Sequence, residues 1–338
     1  MAMTIYDISK KAGVSIATVS RVLNGSENVR PSTRKKVMDV IDKYDYTPNA
    51  FARGMGLHSL KTIGILCADS SDLFLAKAVY FLEQELQANG YESLLCCTGY
   101  NPDIKKNYLN LILSKKVDSI ILVGSHFIGF NEDENQYIKD VSTQVPIMLL
   151  NASFDHPNVY STLCDDYGTM FEAATEMIQS GITDILYLYD SKSYSGLKKL
   201  HGFCDAMKEH NIPGFEKLIH FYDGNIEHLN EVADFVARIA TKGTSFHGIM
   251  TSDDSLAIGS IKYAQKKGIR IPEELSVMGY NNSMLTNCCT PELTSVDNRL
   301  GTQTHQLVQT LLGVLAGEEM PKKSIFSGKI IKRGTTLF

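Results

Sequence analysis

The chain has 338 residues, 43% of them apolar, and its 33 lysines and arginines against 38 acidic residues leave a net charge of −5. That length exceeds one ordinary domain and that apolar content is enough to bury real cores, so two or three domains are expected and disorder is excluded. No run of about 18 apolar residues occurs, and the start MAMTIYDISKKAG lacks the basic and apolar regions of a secretory signal, which argues against membrane insertion and export and for the cytoplasm.

The charge is unevenly spread. Residues 1–60 hold nine Lys/Arg and five Asp/Glu, a net of +4, which leaves 24 basic and 33 acidic residues, a net of −9, for the rest. A basic head on an acidic body suits binding to a phosphate backbone, but a solvated surface has the same appearance, so local pattern must decide. Thr4 with Asp7 fits a capping box, Ile5, Ile8 and Ala12 recur at helical spacing, and Gly13 suits a left-handed helix end. Ser15 is placed to cap a second helix, with Val19, Val22 and Leu23 on one apolar face, Ile16, Ala17, Ser20 and Arg21 elsewhere, and Asn24-Gly25 ending it. Two helices joined by a tight glycine-containing turn form a helix-turn-helix. A third helix follows in RPSTRKKVMDVIDKYDY, with Pro31 at its first position and Val37, Val40, Ile41 and Tyr44 directed inward. The second helix of such a motif enters the major groove, where small side chains admit it and Arg21 reaches the paired acceptors of a guanine.

The stretch TPNAFARGMGLHSLK, residues 47–61, reads as a linker with a short helix-capable piece. Beyond it, the strand-like runs TIGILC, ESLLCC, DSIILVG and PIMLLN alternate with helical stretches at 73–88 and 103–115, and the rhythm resumes with DILYLY, HGIMTS and LSVMGY. Alternation of this kind predicts parallel sheets covered by helices, here in two subdomains with a ligand crevice at the carboxyl ends of their strands.

An enzyme finds little support. There is no GxGxxG after a strand, no Walker A loop, no HExxH and no nucleophile elbow, the nine histidines do not cluster, and Ser195 with Lys198 matches SxxK only by chance. The seven cysteines, including Cys96-Cys97 and Cys288-Cys289, form no CxxC, no metal spacing and no even disulfide framework, so they read as buried thiols of a reducing compartment, and neither metal nor cofactor is expected.

TIYDISKKAGVSIATVSRVLNG followed by VRPSTRKKVMDVIDKYDYTPNAFARGM resembles the head of the LacI-type, or lactose-repressor, family of bacterial transcription regulators. The resemblance continues through KTIGIL, VDSIILVGS, GIRIPEELSVMGY and TPELTSV in that family's order, and so covers essentially the whole chain. It implies a small all-α helix-turn-helix head (1–45), a hinge or linker (46–61) and an α/β body (62–338) of two parallel-sheet subdomains resembling periplasmic sugar-binding proteins. The N-subdomain would span about 62–160 plus 291–324 and the C-subdomain about 161–290 plus 325–338, with crossings near 160, 291 and 324. It also implies a homodimeric repressor, not an enzyme, whose two heads read a pseudo-palindromic double-stranded DNA operator under control of a small-molecule effector.

On that resemblance Ile16, Ala17 and Arg21 face base edges, while Thr4, Tyr6, Ser15, Thr18, Ser20, Asn24, Thr33 and Tyr46 meet phosphates or position the helices. The linker becomes a hinge helix in the minor groove, contributing Asn49, Ala52 and Met55. Met55 stands where the family has a wedging leucine, and Gly54 and Gly56 beside it each cost a helix up to about 1 kcal/mol. The crevice would be lined by Phe74, Ser125, Asn151, Lys199, Asp254 and Asn281. Lys199 replaces an arginine and Asn281 an aspartate of the family's sugar-binding pattern, which predicts a sugar phosphate or other acidic effector with Lys199 as its charge partner, unless Asp165, Asp253 and Asp254 cancel the effect. Two alternatives remain open: a phosphoprotein partner that tunes DNA affinity, as in the catabolite-control branch, and a solute-binding protein without a DNA role.

Overall fold

The computed structural model describes residues 3–23, 26, 28–46, 60–241 and 243–338. The head is three helices, α1 (Ile5–Ala12), α2 (Ile16–Leu23) and α3 (Pro31–Lys43). Thr4 and Asp7 close a reciprocal capping box at the start of α1, and Gly13 ends it at φ 65°. Pro31 sits in the first turn of α3, where its missing N–H costs nothing. Ile8, Val19, Val22, Val29, Val37, Ile41 and Tyr46 form the shared core.

Of the two tyrosines of this segment, Tyr44 departs from the inward position expected of it. Tyr44 is exposed, and the Lys11 ammonium donates to its hydroxyl at 3.3 Å and lies over its ring at 4.4 Å. Tyr46 is instead buried in the core of the head, because its N–H folds back on the Ile41 carbonyl past Asp45 at φ 46°. Asn24, Asn49, Ala52 and Met55 lie outside the described residues, and with them the expected hinge.

In the body, β1 (Thr62–Cys67), α4 (Leu73–Ala88), β2 (Glu92–Cys97), α5 (Pro102–Ser114), β3 (Ser119–Val123), α6 (Gln136–Ser142), β4 (Ile147–Leu150) and β5 (Val159–Cys164) build the first unit. The second comprises α7 (Asp166–Gln179), β6 (Ile185–Tyr189), α8 (Tyr194–Glu209), β7 (Ile219–Phe221), α9 (Leu229–Thr241), β8 (Gly248–Thr251), α10 (Asp254–Lys267), β9 (Ser276–Tyr280) and β10 (Thr294–Asp297). The chain then returns with α11 (Leu300–Leu315) and β11 (Lys323–Phe326) to the first unit and ends with β12 (Lys329–Ile331) in the second. The sheet orders are β11-β5-β4-β3-β1-β2 and β12-β10-β9-β8-β6-β7, parallel except for β12, which runs antiparallel to β10.

The inner strands read as continuous apolar runs because both faces of each sheet are covered there, whereas the edge strands β2, β11 and β12 are partly exposed. Alternate residues point oppositely. Thus Ile63, Ile65, Ile121 and Val123 pack under α4 and α11, while Leu66, Ile120 and Leu122 face α5 and α6. In the second sheet Leu186, Leu188, Ile249 and Val277 meet α9 and α10, and Tyr187, Met250, Met278 and Tyr280 meet α7 and α8.

Two features differ from expectation and one agrees with it. Sheet membership places the crossings at residue 165, at 298–299 and at 327–328, a few positions beyond 160, 291 and 324, so β10 belongs wholly to the second sheet. The cysteines are all free, but only Cys67 and Cys164 are buried; Cys97 is exposed because β2 is an edge strand, and Cys288 because it closes a surface turn. The Ser195–Lys198 coincidence dissolves: the Ser195 hydroxyl donates to Asp166, and Lys198 lies over the Tyr194 ring.

Candidate functional site

Two surfaces carry the chemistry. The first is the outward side of α2. Burying Val19 and Val22 turns Ile16, Ala17 and Arg21 outward, and Ile16 is 39% exposed, unusual for an isoleucine in a folded head. Ser15 Oγ accepts from the Thr18 N–H at 3.2 Å and shares a hydrogen bond with the Thr18 hydroxyl, so both hydroxyls hold the helix start. Thr4 is exposed at the start of α1, Tyr6 is 68% exposed beside it, and Ser20 and Thr33 are half-buried. An exposed arginine among small side chains on a short helix is the shape that a major groove admits.

The second surface is the crevice between the two sheets. Its central cavity, about 90 Å³, is flanked by recesses of about 740 and 630 Å³. Phe74, Ser125, Asn151, Lys199 and Asn281 all line the centre. Asn151 follows β4 at φ 64° and Asn281 follows β9 at φ 95°, left-handed positions that turn these side chains off the strand ends and that asparagine tolerates best. Asn281 Nδ2 donates to Asp253 at 2.8 Å and its Oδ1 accepts from Asn298 at 2.9 Å. Ser125 of the first unit donates to Ser193 of the second at 2.8 Å, which bridges the crevice.

Asp254 does not line the crevice centre; its neighbour Asp253 does. Asp254 turns under β9, where it accepts from the Ser283 N–H and the Ser295 hydroxyl, each at 2.6 Å. It fits there because residue 279 is glycine, whose missing Cβ would stand 2.2 Å from Asp254 Oδ1. Burial, reinforced by Asp253, pushes the Asp254 carboxyl up to about 7.

Two acidic residues of the crevice, Asp72 and Asp190, escaped the sequence reading, and a third, Asp253, entered it only as a charge that offsets Lys199. Asp72 caps α4 through the Leu75 N–H at 2.8 Å, Asp253 caps α10 through the Ser255 N–H at 2.7 Å, and Asp190 accepts from the Ser252 hydroxyl at 2.7 Å. All three line the central cavity. Burial, with the nearby charges of Asp253 and Asp190, raises Asp72 to about 6. The available signal was positional: an aspartate capping the helix that follows a parallel strand lies at the strand's carboxyl end, where crevices form.

Lys199 is buried, as a crevice residue on α8, but its charge is already matched. Its ammonium donates to the Ser252 carbonyl at 3.0 Å and lies 4.0 Å from the centre of the Tyr280 ring. The fully enclosed Asp166 carboxylate, raised by burial and pulled back by the Lys199 charge, accepts from Ser195 at 2.5 Å and Tyr280 at 2.6 Å. Asp72, Asp190 and Asp253 stand on the same walls, so the crevice centre carries more acidic than basic side chains, which weighs against the anion site expected around Lys199.

The model of the bacterial regulatory proteins, lacI family, matches residues 4–49, and that of the periplasmic binding protein-like domain matches residues 174–336. The chain is 49% identical over 336 residues, 99% of its length and 100% of the other's, to an HTH-type transcriptional regulator of Lachnoclostridium phytofermentans. It is 33% identical over 303 residues, 88% of its length and 87% of the other's, to catabolite control protein A of Priestia megaterium. Its fold matches the lac repressor dimer bound to operator and the anti-inducer ONPF with a TM-score of 0.88, at 20% sequence identity and with both chains fully covered.

Proposed function

This chain belongs to the lacI family of DNA-binding bacterial transcriptional regulators, and on that premise we propose that it is a homodimeric cytoplasmic repressor, without catalysis, released from its operator by an uncharged sugar. The observation that carries the DNA-reading part is the exposed trio Ile16, Ala17 and Arg21 over the buried Val19 and Val22. Pairing of two chains is supported by the unpartnered edge strand β2, where Leu94 and Leu95 face solvent, and by the exposed Tyr80 on α4. Such apolar exposure on a sheet edge asks for cover.

The effector is argued from the crevice. Asp72 caps α4, Asp190 holds the Ser252 hydroxyl, and Asp253 holds both the Ser255 N–H and the Asn281 amide; all three keep lone pairs for hydroxyl donors, while Asn151 supplies a further polar group. Carboxylates in this number favour hydroxyl groups over a phosphate. In the same proposal Met55 wedges into the central base step and bends the operator.

One gel-retardation series tests the reading. The full chain should retard a pseudo-palindromic duplex with two chains per operator and a steep salt dependence, a neutral sugar should release it, and a chain lacking residues 1–60 should retard nothing. Retardation by the truncated chain would sink the proposal. On circularly permuted fragments, Met55→Lys should lose the bend while still forming dimers; an unchanged bend removes the wedge.

A further inference from the structure

Among the described residues, one buried cation in the first unit has no carboxylate to balance it. Lys105, in the second turn of α5, is only 6% exposed. Its ammonium donates to the His126 carbonyl at 2.6 Å and stands 5.4 Å from the centre of the Phe127 ring. Among the described residues no carboxylate lies close enough to hold its pKa up, so burial alone lowers it. The His126 ring is kept neutral, down to about 4, first by burial and then by the Lys105 charge. A buried ammonium is ordinarily paired, and one with three donors and a single carbonyl partner has capacity left over.

In front of Lys105 lies a recess of about 620 Å³ that opens beside the crevice centre and shares Tyr100, His126, Asp190, Ser191 and Ser193 with it. Tyr100, Phe127, Phe130 and Tyr137 wall it, and Lys106 and Lys192 stand on its lining. Phe130 is 73% exposed, an aromatic ring held open to solvent. Of the three carboxylates on the lining, Glu134 is turned to the Phe130 N–H and the Asn131 side chain, Asp190 also lines the crevice centre, where it accepts from Ser252, and Asp133 lies on an exposed turn. Ser191, Lys192 and Ser193 come from the second unit, so whatever fills the recess touches both units.

We propose that this recess is a second ligand site, which takes the phosphate or carboxylate group of a small molecule against Lys105 while the molecule's carbon skeleton rests on Tyr100 and Phe130. Occupancy would tie the two units together through the wall that the recess shares with the crevice, which makes the recess a place for a second signal. This goes beyond the sugar reading of the crevice and does not depend on it.

The test uses the full chain and inorganic phosphate, at constant ionic strength against chloride. Wild type should gain roughly 2–4 °C in melting temperature as the site fills. Lys105→Met should lose that gain, with phosphate affinity down at least about tenfold, yet melt no lower than wild type without phosphate, because an unbalanced buried charge has gone and methionine fills the space of the stem. Lys199→Met should keep the gain, which separates the recess from the crevice. Acetate run alongside distinguishes a carboxylate site from a phosphate site. No gain in wild type, or an equal gain in Lys105→Met, overturns the proposal. A second readout needs no variant: phosphate should slow acetylation of Lys105 by acetic anhydride about tenfold, followed by mass spectrometry, and unchanged labelling overturns it equally. Failure of neutral sugars to release the operator would leave both results standing, so the two readings fail separately.

Discussion

Arg21→Ala should weaken binding to a cognate operator by about 1–3 kcal/mol per half-site and relax the preference at one base pair. The reasoning starts in the packing of α2. Val19 and Val22 are committed to the core of the head, which leaves Ile16, Ala17 and Arg21 on the exposed side of an eight-residue helix. Of these only Arg21 has two parallel donors, the fork that matches the O6 and N7 acceptors of guanine. Truncating it removes that recognition and one positive charge, so specific binding should fall more than non-specific binding, and the salt slope should drop by about one per head. Fluorescence anisotropy on the operator and on its single-base variants separates these effects. A mutant with unchanged selectivity would show that Arg21 touches only phosphates.

Asp166→Ala should destabilise the body by about 3–5 kcal/mol, although Asp166 lies on no surface. Its carboxylate receives Ser195 and Tyr280 and answers the charge of Lys199 inside the second unit. Removing it strands an ammonium and two hydroxyls in the interior, and a buried charge without its partner costs more than the pair was worth. The double variant Asp166→Leu with Lys199→Met removes the stranded charge and should recover most of the loss. Urea midpoints of wild type, single and double variants decide it: a double variant no more stable than the single one would mean that the two charges are not coupled.

Much of the fold was legible because its signals are local. The capping box of Thr4 and Asp7, the glycine stop at 13 and the proline at the start of α3 are each settled within one turn of chain, and the structure shows all three. The strand runs TIGILC and ESLLCC coincide with β1 and β2, and the helical stretch 73–88 coincides with α4, because apolar periodicity records which element a segment forms. The crevice was legible only in part. Asn151 and Asn281 follow strand ends, and a strand end in a parallel sheet is a position that chain order itself reveals.

What only the tertiary structure decided were the pairings between distant segments. Nothing in the order of Asp253 and Asp254 says which one looks into the crevice; that follows from Gly279, which leaves room for Asp254 under β9. Lys199 looked like a free cation until the chain brought Asp166 across from the first turn of α7, and the same folding gathered Asp72, Asp190 and Asp253 from three helix and strand ends onto one set of walls. Tyr44 and Tyr46 differ by two residues and by opposite fates, since the turn at Asp45 swings the second back into the core. The physical reason is the same in each case. Backbone preference and apolar periodicity act over a few residues and are written along the chain, whereas the sign of a site's charge is a sum over distances in space, which exist only once the segments have packed.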